Sequence, residues 1–183
     1  MLKLRSDVSI CQLRPEHAKK SYRWVCDPSI ALAIGLRRDP TLEYTLKWIQ
    51  RSLDDPLISA NALLLDQSHV GNVVLDKTDT YLKTSRLSVY VGDPTVRGAG
   101  VGLTGIYHAL VHGFKKYDLH KVWLTVDVKN QVALKTYTKL DFKVEGVLRD
   151  EFLINGHRSD AYYMGLLRNE FDQLSVELID NHH

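Results

Sequence analysis

Hydrophobic and polar positions follow two different periods along the chain, and each period predicts one kind of element. Alternation at every second residue is typical of a half-buried strand, whereas apolar residues three and four positions apart indicate a helix with one buried face. The strand pattern, or a short apolar run, occurs at 8–13, 62–66, 70–75, 84–91, 122–128, 142–150 and 158–167. The helical pattern occurs at 15–26, 41–53, 103–117 and 131–139.

The order of these segments predicts the topology. The helix at 103–117 connects two strands as a crossover and makes them parallel, whereas short turns such as Asn155-Gly156 make their neighbours antiparallel. The expected fold class is therefore α/β, or more narrowly α+β. It is a central mixed, mostly antiparallel seven-stranded sheet with one parallel pair, flanked by about four helices. The stretch 27–40 begins and ends with Asp-Pro and is predicted to be a loop containing at most a helical turn.

Length and composition favour one domain with a sizeable core. The chain has 183 residues, of which 44% are hydrophobic and 25% are charged, so a disordered composition is excluded. A single domain over 1–183 is expected, with its core at about 8–167 and a C-terminal tail at 168–183. The formal charge of +2 is too small for a nucleic-acid-binding face, and no apolar run is long enough to span a bilayer.

The expected location is the cytoplasm, because charges interrupt the first ten residues where a signal peptide needs an apolar run. Neither nucleic acid nor membrane is an expected partner. No metal site is expected, since His108 and His112 lie one helical turn apart without an evident third ligand.

Five of the eleven glycines are crowded between Gly92 and Gly105. They stand between a predicted strand and a predicted helix, where unpaired N–H groups and the helix dipole form a site suited to phosphate. The run Gly100–Gly105 also matches GxGxxG, the dinucleotide fingerprint. Against a dinucleotide enzyme, eight residues separate Val91 from Gly100, and the chain after Asp127 is too short to complete a doubly wound sheet.

Two motifs in this region carry a resemblance to a known family. Arg97-Gly-Ala-Gly-Val-Gly102 fits the pattern [Gln/Arg]-x-x-Gly-x-[Gly/Ala] of the acetyl-coenzyme A loop, and the chain resembles the GNAT superfamily of N-acetyltransferases. Residues 130–142 are similar to the superfamily's second motif, Asn-x-x-Ala-x-x-x-Tyr-x-Lys-x-Gly-Phe, except that Asp141 replaces the usual glycine. The resemblance spans nearly the whole chain and points to the branch of ribosomal-protein, spermidine and amino-sugar acetyltransferases. Within that branch, the chain is most similar to acetyltransferases that act in the biosynthesis of surface-polysaccharide sugars.

The resemblance implies a GNAT fold, in which the parallel strands splay apart, and acetyl-coenzyme A (acetyl-CoA) as cosubstrate, with no metal. It implies that Arg97 and main-chain N–H groups hold the pyrophosphate, while the backbone of the preceding strand holds the pantetheine arm. The residues that it assigns to cofactor binding are Val89, Tyr90, Val91, Arg97, Gly98, Ala99, Gly100, Val101, Gly102, Leu103 and Asn130.

The resemblance also assigns a catalytic residue, Tyr137. A phenol has an ordinary pKa of about 10, so it stays protonated at neutral pH and can act as the general acid for the departing thiolate. Arg86 stands at a strand position where related sequences often carry glutamate, so no general base is assigned.

The acceptor is expected to bind to aromatic and cationic residues in the first third of the chain, above all Trp24, Arg37 and Arg38. Such groups could stack on a nucleotide base and pair with phosphates, whereas a polyamine would need a cluster of carboxylates. The expected reaction is direct acetyl transfer to a primary amine of a nucleotide-linked amino sugar, by a monomer or homodimer. Protein N-terminal or polyamine acetylation is the alternative, and a catalytically silent acyl-CoA-binding module is a remoter one.

Overall fold

Seven strands form one sheet in the computed structural model, which describes residues 2–154 and 156–180. The strands are β1 Val8–Gln12, β2 Ser59–Leu65, β3 Ser68–Asp79, β4 Thr84–Val91, β5 Lys121–Asp127, β6 Lys143–Ile154 and β7 His157–Leu167. Their order across the sheet is β1-β2-β3-β4-β5-β7-β6. Among these strands β4 and β5 form the parallel pair, and the other neighbours are antiparallel. The mixed sheet with one parallel pair is thereby confirmed.

The described residues form more helices than the sequence predicts. They are α1 Ala18–Val25, α2 Pro28–Ala33, α3 Leu42–Asp54, α4 Val101–Lys116, α5 Gln131–Lys139 and α6 Arg168–Asp180, together with short 3₁₀ turns at Pro15–His17 and Pro94–Val96. The helix α2 lies in the stretch predicted as a loop. It forms because Asp27 caps it, accepting a hydrogen bond from the Ser29 N–H at 2.9 Å, and because Pro28 is preset for a first helical turn.

The C-terminal segment also differs from its prediction. Residues 168–180 were expected to form a tail, but they continue from β7 as α6. The buried ring of Phe171 anchors this helix by stacking on Phe114 of α4, with 5.0 Å between the ring centroids. Amphipathic periodicity is weak here, so the docking of α6 depends on a contact that is distant in sequence. Of the predicted turn Asn155-Gly156, Asn155 lies outside the described residues.

The helices cover both faces of the sheet. The larger core lies between one face and α4, α5 and α6, whereas α1 and α3 cover the other face near Leu13 and Ile49. The helix α4 approaches β2 so closely that a Cβ atom on Gly105 would overlap Leu63 Cδ1. Gly105, the last glycine of the apparent dinucleotide fingerprint, therefore has a packing role. None of the described helices has the length and apolar character needed to cross a membrane.

Candidate active site

The parallel strands β4 and β5 separate after a short paired stretch. Their register joins Thr84–Arg86 to Lys121–Trp123 only, and beyond these residues β4 stays paired with β3 while β5 stays paired with β7. A cleft therefore opens between the two strands toward the C-terminal end of β4. This is the splayed pair that the sequence resemblance implied.

The cleft-facing edge of β4 presents the backbone of alternate residues. The Gly92 N–H donates to the Val70 carbonyl of β3 at 2.8 Å, so in an antiparallel pair Tyr90 also directs its main-chain groups toward β3. The backbone groups of Val89 and Val91 then face the cleft. Of the three strand residues assigned to cofactor binding, Val89 and Val91 present their backbone to the cleft, whereas that of Tyr90 pairs with β3.

The glycine-rich loop leads from the end of β4 into α4. Gly98 and Gly100 have φ values of 78° and 81°, in the left-handed region that glycine adopts without strain. The first intrahelical bond runs from the Thr104 N–H to the Gly100 carbonyl, so the N–H groups of 101–103 have no helical acceptor. The amide of Ala99 is used within the loop, since it donates to the Val96 carbonyl at 3.4 Å. The start of α4 thus offers several N–H groups and the positive end of its dipole.

Two arginines hold this loop in place. The Arg97 side chain donates to the carbonyls of Val91 at 2.9 Å and Gly92 at 3.2 Å, which ties the loop back to β4. Arg5 donates from Nη1 to the Ala99 carbonyl at 3.0 Å and is itself oriented by Asp7. Arg97 was predicted as a cation at this site, but nothing in the sequence indicated Arg5, because it lies far from the motif along the chain.

Tyr137 lies on α5 and is buried against the larger core. Its ring packs edge-on against Phe142, with the centroids 5.8 Å apart, and burial raises the pKa of the phenol to about 12. Its hydroxyl takes part in none of the hydrogen bonds found among the described side chains. The phenol therefore keeps its proton over the whole neutral and moderately alkaline range.

The ends of α5 are built by the residues of the second motif. The Asn130 side chain caps the helix by accepting from the Ala133 N–H at 3.1 Å. Asp141, which stands where the resembled family has glycine, has a φ of 65°. Aspartate tolerates this left-handed conformation better than most residues, so the turn survives the substitution.

A cavity of about 260 Å³ lies on the other side of β4, and we call it the α3-side cavity. Its wall is largely apolar and comes from the sheet, α1, α3 and the connection between α2 and α3; Leu13, Val25, Ile34, Trp48, Ile49 and Val74 contribute to it. Arg86, Ser88 and Tyr90 of β4 point into it. Because these residues stand at the start of the splay, the cavity is adjacent to the cleft.

A buried hydrogen-bond network holds Tyr90 at the cavity wall. The Asn72 amide, on the strand opposite, donates to the Tyr90 hydroxyl at 2.6 Å and to Ser21 Oγ of α1 at 3.0 Å. Its oxygen lies 2.8 Å from His69 Nε2, which must carry the hydrogen because an amide oxygen only accepts. Burial raises the pKa of Tyr90 to about 12 and lowers the pKa of His69, so both groups are uncharged at neutral pH. Sequence reasoning missed Asn72 and Ser21, which carry no local signal.

The predicted acceptor residues are not among those that line the α3-side cavity. Trp24 packs on Gly92, in the space that a side chain there would occupy, and lies edge-on to His69 and Tyr90. Arg37 and Arg38 are exposed on the connection before α3, where Arg38 lies over the Tyr44 ring at 4.5 Å. Trp24 thus supports Tyr90, and the two arginines lie outside the cavity near its rim.

Within the described part of the chain, no group of three or more histidine, cysteine, aspartate or glutamate side chains is arranged to hold a metal ion.

Comparisons with known proteins agree with this geometry. A family model described as "Acetyltransferase (GNAT) domain" matches residues 8–143. The spermidine N(1)-acetyltransferase of Escherichia coli K12 is 36% identical over 78 residues, covering 43% of this chain and 42% of that protein. The L-amino acid N-acetyltransferase AaaT of the same strain is 27% identical over 129 residues, covering 66% of this chain and 75% of AaaT.

Among solved structures, that of spermidine N-acetyltransferase from Vibrio cholerae in complex with CoA and spermine superposes with a TM-score of 0.85. It covers 91% of this chain and 99% of that one at 22% sequence identity, which establishes a common fold. The chain matches less than half the length of the E. coli spermidine enzyme in sequence, so the relatives' substrates do not transfer directly.

Proposed function

Because the chain belongs to the GNAT acetyltransferase family, we propose that it transfers an acetyl group from acetyl-CoA to the nitrogen of a small primary amine. The observation that carries this proposal is the cleft between β4 and β5, which the glycine-rich loop borders on one side and the α3-side cavity on the other. Acetyl-CoA can therefore approach the cleft from the side of the glycine-rich loop and the amine from the α3-side cavity, as a transfer between two substrates requires.

The cofactor-binding residues fit a diphosphate and an amide-bearing arm. Left-handed Gly98 and Gly100 and the unpaired N–H groups of 101–103 would hold the diphosphate, because together they form an anion site at a helix N-terminus. The unpaired backbone of Val89 would bind the arm as a neighbouring strand does. Acetyl-CoA supplies the acetyl group as a thioester, which an amine can attack without a metal. Asn130 contributes as the cap that orients α5, and Arg97 as the clamp between loop and strand.

The proposed proton donor is Tyr137. When the C–N bond forms and the C–S bond breaks, the amine loses a proton and the sulfur needs one. With its pKa raised to about 12, the phenol carries its proton at neutral pH, as a donor to the leaving sulfur must. If the acceptor binds as the neutral amine, its nitrogen can attack without a side-chain base. The proton that this nitrogen sheds as the C–S bond breaks then passes through water to the Tyr137 phenolate, which restores the phenol.

The nucleotide-linked amino sugar expected from the sequence finds no support. The relatives reported above are named for spermidine and L-amino acids, which favours the polyamine alternative and small amines in general. The cavity of about 260 Å³ is also smaller than the roughly 300–1,000 Å³ typical of pockets for drug-sized ligands, and a nucleotide sugar is larger still. A small aliphatic amine fits this volume.

Thiol release tests the reaction directly. Purified protein with acetyl-CoA should release coenzyme A thiol only when a primary amine is added, with the N-acetyl product identified by mass spectrometry; spermidine and a panel of amino acids are the first acceptors. Binding of coenzyme A without release for any amine or N-terminal peptide would favour the silent binding module and overturn the proposal.

A matched glycine pair tests the cofactor half separately. Gly98→Val forces a branched side chain into a φ of 78° with open space around it, whereas Gly146→Val adds the same side chain in open space without a left-handed φ. We expect the stabilisation by coenzyme A in thermal unfolding to be lost in the first variant and kept in the second. Equal stabilisation of both would place the diphosphate elsewhere.

A further inference from the structure

The α3-side cavity contains one ion pair. Asp76 of β3 and Arg86 of β4 stand directly opposite each other, with Arg86 Nε 2.8 Å from one carboxylate oxygen and Nη2 2.7 Å from the other. Their side chains are only 19% and 21% exposed. Among the described residues that line the cavity, these two are the only ones that carry a formal charge at neutral pH.

This pair leaves the cavity without a free negative charge. A buried ammonium group needs a carboxylate close to it, and both oxygens of Asp76 are already bound to Arg86. A second ammonium group on the acceptor would also face the Arg86 guanidinium at short range. The names of the spermidine relatives favour a polyamine, but this cavity argues against one, because the additional positive charges of a polyamine are its main feature for recognition.

The remaining nitrogen of Arg86 favours a different acceptor. Nη1 makes no hydrogen bond within the described part of the chain, and it lies 3.8 Å from the position that a Cβ atom on Gly35 would take. It therefore faces the connection between α2 and α3 that closes the cavity. Its two N–H donors suit a carboxylate, the group that guanidinium binds most strongly.

We propose that the acceptor is a small amine that carries one carboxylate and an apolar body, an amino-acid-like molecule. Arg86 is its specificity-determining residue, with Nη1 binding the carboxylate, while the apolar wall packs on the body. This inference rests on the proposed acetyl transfer and narrows its substrate class.

Two matched sets of acceptors isolate the charge. The first is 1,4-diaminobutane, 1-aminopentane and 5-aminopentanoate, which share a chain of four methylene groups next to the reacting amine and end in a positive, a neutral and a negative group. The second is L-leucine with 3-methylbutylamine, which lacks only the carboxylate. We expect kcat/KM, corrected for the fraction of neutral amine, to be about ten- to a hundredfold higher for a carboxylate member than for its neutral counterpart, and lowest for the diamine.

Variants of the ion pair then test the cause. Arg86→Gln leaves Asp76 as an unpaired carboxylate, so it should lose the preference for carboxylates and gain about tenfold for the diamine. The double variant Asp76→Asn with Arg86→Gln removes both charges and should prefer neither the carboxylate acceptors nor the diamine. It provides the test if the single variant does not fold. Lys83→Gln is the control, because it breaks the exposed Lys83–Asp118 pair and should leave every ratio unchanged.

The outcomes separate this inference from the proposed function. Faster acetylation of the diamine than of both carboxylate members overturns the inference while the enzyme remains an acetyltransferase. So does a carboxylate preference that persists in the double variant. Absence of turnover with every amine, spermidine included, overturns the proposed function and the inference with it.

Discussion

The two faces of β4 are built in different ways. On the α4 face, Val89 and Val91 meet the loop and the helix start that come next along the chain, so this half of the site is almost contiguous in sequence. On the opposite face, Arg86 and Tyr90 meet Asp76 and Asn72 from another strand and Ser21 from α1. The first half is a local motif for the proposed cofactor. The second is assembled from distant segments, and it is the part that can differ between relatives of one fold.

The largest expected effect comes from the proposed proton donor, Tyr137. Tyr137→Phe should lower kcat by about a hundredfold or more, since general acid catalysis is typically worth 10²–10⁴. Coenzyme A should still stabilise the variant in thermal unfolding, because the ring and its packing on Phe142 remain. Turnover equal to that of the original protein, under conditions where chemistry limits the rate, would exclude Tyr137 as the acid.

The tight packing under the cofactor half should appear as a loss of stability. Gly105→Ala places a methyl group against Leu63, and overpacking of this kind costs about 1–3 kcal/mol in the free energy of unfolding. Adding Leu63→Val should recover part of the loss in urea denaturation. If the double variant is less stable than either single variant, the contact does not explain the glycine.

A smaller effect is expected on the acceptor side. Tyr90→Phe removes one acceptor of the Asn72 amide, a hydrogen bond worth about 1 kcal/mol, and should raise the acceptor KM by about three- to tenfold. The KM for acetyl-CoA should not change, since the backbone of Tyr90 pairs with β3. A change in the acetyl-CoA KM alone would show that the two faces of β4 are not independent.

The smallest expected effect is a pH dependence of stability. Burial lowers the pKa of His69 below the 6.5 of the unfolded chain, so between the two values the unfolded state binds more protons and stability rises with pH. The free energy of unfolding should therefore fall as the pH drops through 6.5. In His69→Gln this slope should be shallower. A smaller slope in the same direction should remain, because burial also lowers the pKa of His112. An unchanged slope would mean that His69 is protonated without cost.

Sequence patterns predicted the elements that depend on periodicity and on motif spacing. The strands and the helix that follows the glycine-rich loop agree with the structure because each depends on neighbouring residues. The short helix α2 was missed because six residues are too few to show a helical period. The helix α6 was missed because contacts distant in sequence hold it, among them Phe171 on Phe114 and Glu170 with Lys143. Trp24 was predicted to contact the acceptor because it is aromatic, but its ring packs on Gly92.

The amino-acid sequence alone determined the family resemblance, the glycine-rich loop that is proposed to bind phosphate and the position of a candidate proton donor. Each of these is encoded by backbone conformations and side chains within about one or two turns of chain. Only the tertiary structure decided which groups share the α3-side cavity. In the sequence, Arg86 is only an arginine at a strand position where related sequences often carry glutamate. Its role in the cavity depends on Asp76 opposite it, because the charge of a cavity is a property of all the segments that close it.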